Sequence, residues 1–318
     1  MMKKVVCLWV SIWIWIQPLY ASSYCVMSTD GDVLVESNMH HTQSVASISK
    51  IMTAIIAIEE GNLSDTWLCS DQISQAYGSM IYLKVGQEVS LQSLLYGLML
   101  RSGNDAAIEI ATHIAGDVGT FVKKMNEKAK EIGMVNTVFR NPSGLDEQDG
   151  GNISSAYDMA LLMRYAMQNE DFVKISGAQY YTSEWNYRWK NKNRLLFDYE
   201  YATSGKTGYT KLAGRTLVTT AQNETMNSIV VTLDMSDDFT FHKEQHTKAL
   251  QENENITVLE AGTYKIQGGT LEVKQPLQIS VNKEEKTKLQ VYTHVEDHNF
   301  IVEVRKGMNT QVYTYTLQ

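Results

Sequence analysis

The chain predicts an α+β fold, an antiparallel sheet packed with a helical region and followed by a small all-β C-terminal domain. Three observations carry this expectation. A hairpin signal stands near the start, apolar residues recur at helical spacing through the middle, and β-type alternation returns at Gly177 and dominates the last sixty or so residues. With 318 residues, 43% of them hydrophobic, there is material for one sizeable domain and a smaller one. The formal net charge of -8, with no block of Lys and Arg, excludes a DNA- or RNA-binding role, because phosphate binding needs clustered positive charge.

The N-terminus reads Met1-Met2-Lys3-Lys4, then the apolar run Val5 to Ile16, then a small-residue exit ending at Ser23. A positive start, a short apolar stretch and such an exit make residues 1–23 a secretory signal peptide. As a helix the apolar run would reach about 18 Å against a hydrocarbon core of about 30 Å, which argues against a permanent span. The expectation is a bacterial exported protein, acting in the cell wall or at the outer face of the cytoplasmic membrane. Cys25 follows the exit closely, but Tyr24 stands where a lipoprotein signal needs a small residue. Cys7 lies within the signal, so Cys25 and Cys69 are left to pair or, as the preferred reading, to stay as separate buried thiols.

Tyr24 to Met27 and Val33 to Glu36 flank Asp30-Gly31 and read as a hairpin. From Ser47 to Glu60 the residues Ile48, Ile51, Ala54, Ile55 and Ile58 recur at helical spacing until Gly61-Asn62 stops them. Helices are expected over 91–100, 105–115, 120–132 and 155–167. Strands are expected at Tyr180 to Thr182, Tyr187 to Trp189, Thr216 to Thr220 and Ser228 to Leu233. A polar helix from Asp237 to Glu252 closes a domain spanning 24–252, Glu252 to Asn255 reads as a linker, and 256–318 alternates as a separate β-rich domain.

Three short motifs offer chemistry in a fixed order: Ser47-Ile48-Ser49-Lys50, Ser102-Gly103-Asn104 and Lys206-Thr207-Gly208. Residues three apart on a helix share a face, so a neutral Lys50 would reach the Ser47 hydroxyl. An ordinary lysine has a pKa of about 10.4, so this needs burial or a second cation, for which Lys206 is the candidate. Ser-x-x-Lys alone is weak evidence, since Ser280-Val281-Asn282-Lys283 repeats it in the β-rich tail; the helix start and the two companions single out the first copy. His242 and His246 have zinc spacing but lack the Glu of a HExxH motif and a third ligand, so two exposed helix histidines are expected. The aromatic set Tyr180, Tyr181, Trp185, Tyr187 and Trp189 could line a glycan or peptide groove, with half-buried strand aromatics as the default. No metal or other cofactor is called for.

Taken with Leu83-Lys84-Val85-Gly86, the run from Leu94 to Ala106, Asn141-Pro142-Ser143-Gly144-Leu145-Asp146, Ser155 to Ala160 and Gly205-Lys206-Thr207-Gly208-Tyr209-Thr210, the motifs make residues 24–250 resemble the serine D-alanyl-D-alanine carboxypeptidases. These are the low-molecular-weight penicillin-binding proteins of the peptidase S11 type. The resemblance implies a penicillin-binding/β-lactamase-like domain that removes the terminal D-alanine of peptidoglycan stem peptides and is acylated by β-lactams. It implies Ser47 as nucleophile, Lys50 as base, Ser102 with Lys206 as proton relay, and Asn104 as a support for the substrate amide. Lys206, Thr207 and Gly208 would receive the substrate carboxylate, and the N–H groups of Ser47 and Tyr209 would form the oxyanion hole. Ser49 and Tyr209 depart mildly from the family, which often has Thr and His there. The tail lacks the family's amphipathic C-terminal helix, leaving open whether the protein touches the membrane surface. A DD-endopeptidase, a β-lactamase of the same fold and a non-catalytic wall-binding protein are the alternatives.

Overall fold

The computed structural model describes residues 22–146, 150–307 and 309–318. The signal-peptide expectation, with Cys7, lies outside them apart from residues 22 and 23. Among the described residues no helix is long and apolar enough to cross a membrane.

The hairpin forms as the Asp-Gly turn dictates: Ser23–Ser28 and Val33–Ser37 pair antiparallel, with Gly31 at φ 100° in the turn. These strands are one side of a five-stranded antiparallel sheet. Its order is Val33–Ser37, Ser23–Ser28, Asn227–Leu233, Gly214–Gln222 and Ala202–Thr210, so the Lys206 strand is an edge. Side-chain alternation gives each face a core. Val26 and Val230 meet Ala249 of the helix Asp238–Glu252, while Cys25, Met27, Val218, Ile229 and Val231 join the large core of the helical region.

The centre of that core is the helix Lys50–Glu60, in which every residue from Lys50 to Ala57 is buried. A helix apolar on all sides belongs inside a domain. Around it lie the helices Leu91–Tyr96, Asn104–Ala115, Val118–Ile132 and Ala156–Ala166. Capping residues set their starts: Asp117 accepts from Thr120 N–H at 2.8 Å and Ser155 from Asp158 N–H at 3.1 Å. Two short helices, Glu170–Ser176 and Leu195–Asp198, escape prediction because neither is long enough to show a period.

The linker expectation fails. The helix ends at Glu252 and the strand Asn253–Leu259 begins at once, pairing with Leu277–Asn282. Asn253 joins the two, its Nδ2 donating to the Ala249 carbonyl at 3.1 Å. The tail is all-β as expected, with a hairpin of Gly262–Ile266 and Gly269–Val273 and a meander of Leu289–Glu296, Asn299–Lys306 and Asn309–Thr316. It has its own cores, one of them built on Leu277, Ile279, Val281, Val302 and Val304.

The histidine expectation is also corrected. His242 and His246 are fully buried, on the face of their helix that meets the sheet. Thr219 Oγ1 lies 2.6 Å from His242 Nδ1 and 2.8 Å from His246 Nε2, and Thr232 and Ser228 engage the remaining ring nitrogens at 3.0 and 2.8 Å. The strand threonines and serine, invisible as partners in the sequence, make burial affordable. Cys25 and Cys69 are free and buried, and burial pushes both thiols up to about 12. The aromatic set divides. Tyr181, Trp185 and Trp189 pack against the core, Tyr181 stacked on Tyr96 at 3.8 Å, whereas Tyr180 and Tyr187 are exposed.

Candidate active site

The chain enters the central helix through a 3-10 turn, Ala46–Ser49, and Ala46 sits at φ 50°. A residue with a Cβ rarely takes that region, so its neighbours must hold it there. Thr216 Oγ1 donates to the Val45 carbonyl at 3.0 Å, Val45 N–H donates to the Asn152 carbonyl at 3.2 Å, and Ser49 Oγ donates to the Ala46 carbonyl at 2.5 Å. Gly144, at φ 78°, packs so tightly that a Cβ on it would lie 2.0 Å from Ala46 O. The turn therefore presents Ser47, half-buried, at a fixed place.

Lys50, the first residue of the helix Lys50–Glu60, is fully buried. Its Nζ lies 3.0 Å from Ser47 Oγ and 2.7 Å from Asn104 Oδ1, and it also donates to the Ser143 carbonyl. Two of these neighbours accept only, so they take two N–H bonds. When the amine is neutral, its lone pair is left to face the Ser47 hydroxyl. Burial is the main cause that brings Lys50 down to about 7; the charge of Lys192 adds to it and that of Asp105 opposes it. Lys206, the second cation expected from the sequence, and Lys50 repel each other, and Lys192 is a further cation acting on the same amine.

The second motif follows a π-type turn, Gly97–Arg101, that leaves Ser102 left-handed at φ 64°, ψ 37°. Its Oγ is buried and makes no hydrogen bond among the described residues, a hydroxyl held without a fixed proton partner. Asn104 opens the next helix, and both ends of its amide are engaged. Oδ1 accepts from Lys50 and Nδ2 donates to the Tyr77 carbonyl.

The third wall is the edge strand. Gly208 pairs with Thr216, and a Cβ on Gly208 would stand 2.3 Å from Thr216 Oγ1 and 3.0 Å from Ser47 N. Only glycine lets this strand lie against the backbone of the nucleophile turn. Lys206 is 1% exposed and donates Nζ to the Thr207 carbonyl at 2.7 Å. Burial, with repulsion from Lys50 and Lys192, holds it well below the ordinary lysine range.

Ser47, Ser102, Thr207, Gly208 and Tyr209 thus line one cleft of about 370 Å³, with Ser79, Lys192 and Arg215 on its walls. Lys50, Asn104 and Lys206 stand behind its surface. Sequence reasoning did not single out Ser143, whose carbonyl fixes Lys50, or Lys192. Asn141-Pro142-Ser143-Gly144 carries a turn signal that could have found the first: Asn141 Oδ1 accepts from Ser143 N–H at 3.2 Å and Gly144 N–H at 2.7 Å. Nothing local marks Lys192. Among the described residues there is no cluster of metal-ligating side chains.

The family model of peptidase S11, D-alanyl-D-alanine carboxypeptidase, matches residues 17–237. The chain belongs to this family. The S11 relatives it resembles include D-alanyl-D-alanine carboxypeptidase DacF of Bacillus subtilis, 32% identical over 83% of this chain and 73% of that one. DacB2 of Mycobacterium tuberculosis is 35% identical over 62% of this chain and 69% of the relative. Among solved structures, a D-alanyl-D-alanine carboxypeptidase of M. tuberculosis superposes with a TM-score of 0.63 at 32% identity, covering 66% of this chain and 81% of that chain. Penicillin-binding protein 5 of Haemophilus influenzae, at 23% identity, shares the fold with a TM-score of 0.78 over 93% of this chain and 96% of its own.

Proposed function

We propose that this S11 protein is a serine D-alanyl-D-alanine carboxypeptidase that removes the terminal D-alanine of peptidoglycan stem peptides through an acyl-enzyme on Ser47. The observation that carries the reading is the hold on the Lys50 amine, which donates to the Asn104 side-chain carbonyl at 2.7 Å and to the Ser143 carbonyl and lies 3.0 Å from Ser47 Oγ. Lys50 takes the hydroxyl proton as Ser47 Oγ bonds to the carbonyl carbon of the penultimate D-alanine. The oxyanion that forms is received by the N–H groups of Ser47 and Tyr209, a reading supported by the close approach of Gly208 to Ser47 N. The proton passes through Ser102, with Lys206 beside it, to the departing amine nitrogen, and the C–N bond breaks to release D-alanine. Water then attacks the ester carbonyl, one of its protons goes to Ser47 Oγ as the acyl C–O bond breaks, and the shortened peptide leaves as a carboxylate, its acid proton released to solvent. Asn104, with both ends engaged, serves in this scheme to hold Lys50 rather than the substrate amide.

A β-lactam would enter as a mimic of the dipeptide and leave its ring carbonyl on Ser47. Such a substrate places the enzyme outside the cytoplasm. Fluorescent penicillin should label the wild type and not Ser47→Ala, and D-alanine release from a Lys-D-Ala-D-Ala peptide should vanish in the same variant. A wild type that takes no label and releases no D-alanine overturns the proposal. Cleavage of a cross-linked muropeptide dimer without D-alanine release would make it an endopeptidase instead.

A further inference from the structure

We propose that the exposed cation row Arg188, Lys190, Lys192 and Arg194, joined by Arg101, is a docking track for one extended polyanion, a linear polymer of glycerol-phosphate type. The inference goes beyond the carboxypeptidase reading and takes from it only the place where such a polymer is met, outside the cytoplasm.

Residues 188–194 read Arg-Trp-Lys-Asn-Lys-Asn-Arg. Four cations and no acid stand in seven positions, a density that no other window of this length in the acidic chain reaches, and the neutral residues between them keep it from reading as a block. Such alternation suits an extended segment, in which every second side chain shares a face. In the structure Trp189, Asn191 and Asn193 are buried, while Arg188, Lys190, Lys192 and Arg194 are exposed. The inward asparagines hold the segment down: Asn191 Nδ2 donates to the Ala178 carbonyl at 2.9 Å and Asn193 Nδ2 to the Ser204 carbonyl at 3.3 Å. Arg101 Nη1 donates to the Lys190 carbonyl at 3.3 Å and brings a fifth charge to the row.

These charges are left without anions. Among the described residues none of the five forms an ion pair. Glu184, which precedes the row, accepts from Ser90 N–H at 2.8 Å, and Asp238 is taken by Arg215 at 2.6 Å. Burial, and then the charge of Arg101, hold Lys192 below the usual lysine range, so like charges crowd here. Three of the cations are also seated on rings. The centre of the Tyr180 ring lies 4.5 Å from the Arg188 guanidinium carbon, that of Phe197 4.4 Å from Lys190 Nζ, and that of Phe239 4.4 Å from the Arg194 guanidinium carbon. A guanidinium held over a ring keeps N–H donors free for a phosphate. Tyr180, exposed and without a part in the cleft, thereby gains one.

The row is one side chain wide, which suits a single chain rather than a flat lipid surface. Residues two apart on a strand stand about 7 Å apart. A glycerol-phosphate repeat has six backbone bonds, twice those of a residue, and so also reaches about 7 Å when extended. Lys192 and Phe239 line the cleft that holds Ser47, so the row starts at its rim. A polymer on it would keep the enzyme against the wall that carries its substrate.

The test is isothermal titration of the protein with lipid-free poly(glycerol phosphate). It compares the wild type, the row variant Arg188→Gln/Lys190→Gln/Arg194→Gln, and the control Lys123→Gln/Lys265→Gln/Lys274→Gln, which removes equal charge from exposed positions elsewhere. The wild type should bind with an affinity that falls as salt rises, each neutralised charge adding about 0.7 to the slope of log K on log salt. The row variant should lose at least about 10-fold at low salt and about 2 from the slope, while the control keeps both. Equal penicillin labelling of Ser47 in all three shows that fold and cleft are intact. No binding by the wild type, an affinity kept in the row variant, or an equal loss in the control overturns the proposal. Tighter binding of the wild type to phosphatidylglycerol vesicles than to the polymer overturns it as well, in favour of a membrane surface. Polymer binding by a wild type that takes no penicillin label would remove the carboxypeptidase reading and leave the track standing.

Discussion

Lys50 has to be neutral before Ser47 can lose its proton, and its surroundings set the pH at which that happens. Because the lysine is brought down to about 7, the acylation rate should rise with pH through that value and level off above it, read as the rate of fluorescent penicillin uptake. Lys192→Gln removes one of the causes of the shift and should move the rising limb to higher pH. A limb unchanged in this variant would mean that burial alone sets the lysine. Gly144 is the second residue on which the geometry turns. Gly144→Ala puts a Cβ 2.0 Å from Ala46 O at φ 78°, so the nucleophile turn must shift, and a displacement of about 1 Å costs on the order of 100-fold in rate. Acylation in Gly144→Ala within a few-fold of wild type would show that the loop yields instead. Ser47 and Lys50 were legible because their chemistry is local, three residues apart where the 3-10 turn Ala46–Ser49 runs into the helix Lys50–Glu60. The Ser143 carbonyl was hidden for the opposite reason: a backbone oxygen carries no residue type, and it reaches Lys50 across 93 positions of sequence.

At the scale of elements, the helix Asp238–Glu252 couples polar burial to pH. Burial, aided for His242 by its neighbour, lowers both histidines, His246 to about 3. The unfolded chain binds these protons at about 6.5, the folded protein only much lower. Stability from the pair is therefore complete above about pH 6.5 and is lost as pH falls toward 3, by up to about 1.4 kcal/mol per pH unit for each histidine. His246→Gln keeps a donor and an acceptor for Thr219 and Ser228 but cannot titrate. Thermal melts between pH 7 and 5 should therefore show a shallower decline in this variant than in wild type; equal slopes would refute the coupling. The sequence misjudged this helix because its composition is polar, and burial depended on Thr219, Thr232 and Ser228, residues of two strands that sequence pattern does not tie to it. It read four of the five sheet strands and the long helices correctly, since there periodicity and caps act within one segment, and it left the edge strand Ala202–Thr210 without bounds because its Gly205 and Gly208 interrupt the alternation. The strand Asn253–Leu259 was taken for a linker at its start because Asn-Glu-Asn is polar, although a half-exposed strand tolerates such residues once Leu277–Asn282 supplies its hydrogen bonds.

Across the whole molecule, the first hairpin turn ties the catalytic sheet to the β-rich tail. Asp30 Oδ2 accepts from Ser280 N–H at 2.7 Å and from Lys306 Nζ at 3.1 Å, and Lys306 also pairs with Asp32. From the other side, Arg164 Nε donates to the Thr29 carbonyl at 2.7 Å, so the same turn is braced against the helical region. The Asp30 side chain is only 4% exposed, and Asp32 is already raised above the ordinary carboxylate range, by burial first and by Asp30 as well. Removing Lys306 would leave two close carboxylates with one partner fewer. Breaking a buried pair this way costs about 3–5 kcal/mol, whereas the cores on either side are untouched. Lys306→Met should therefore loosen the join between the parts more than the parts themselves. In calorimetry the single transition expected of the wild type should separate into two, the lower one belonging to the tail, while penicillin labelling of Ser47 persists below it. A single transition merely shifted to lower temperature would show that the tail and the catalytic domain unfold as one unit whose cohesion does not depend on this contact.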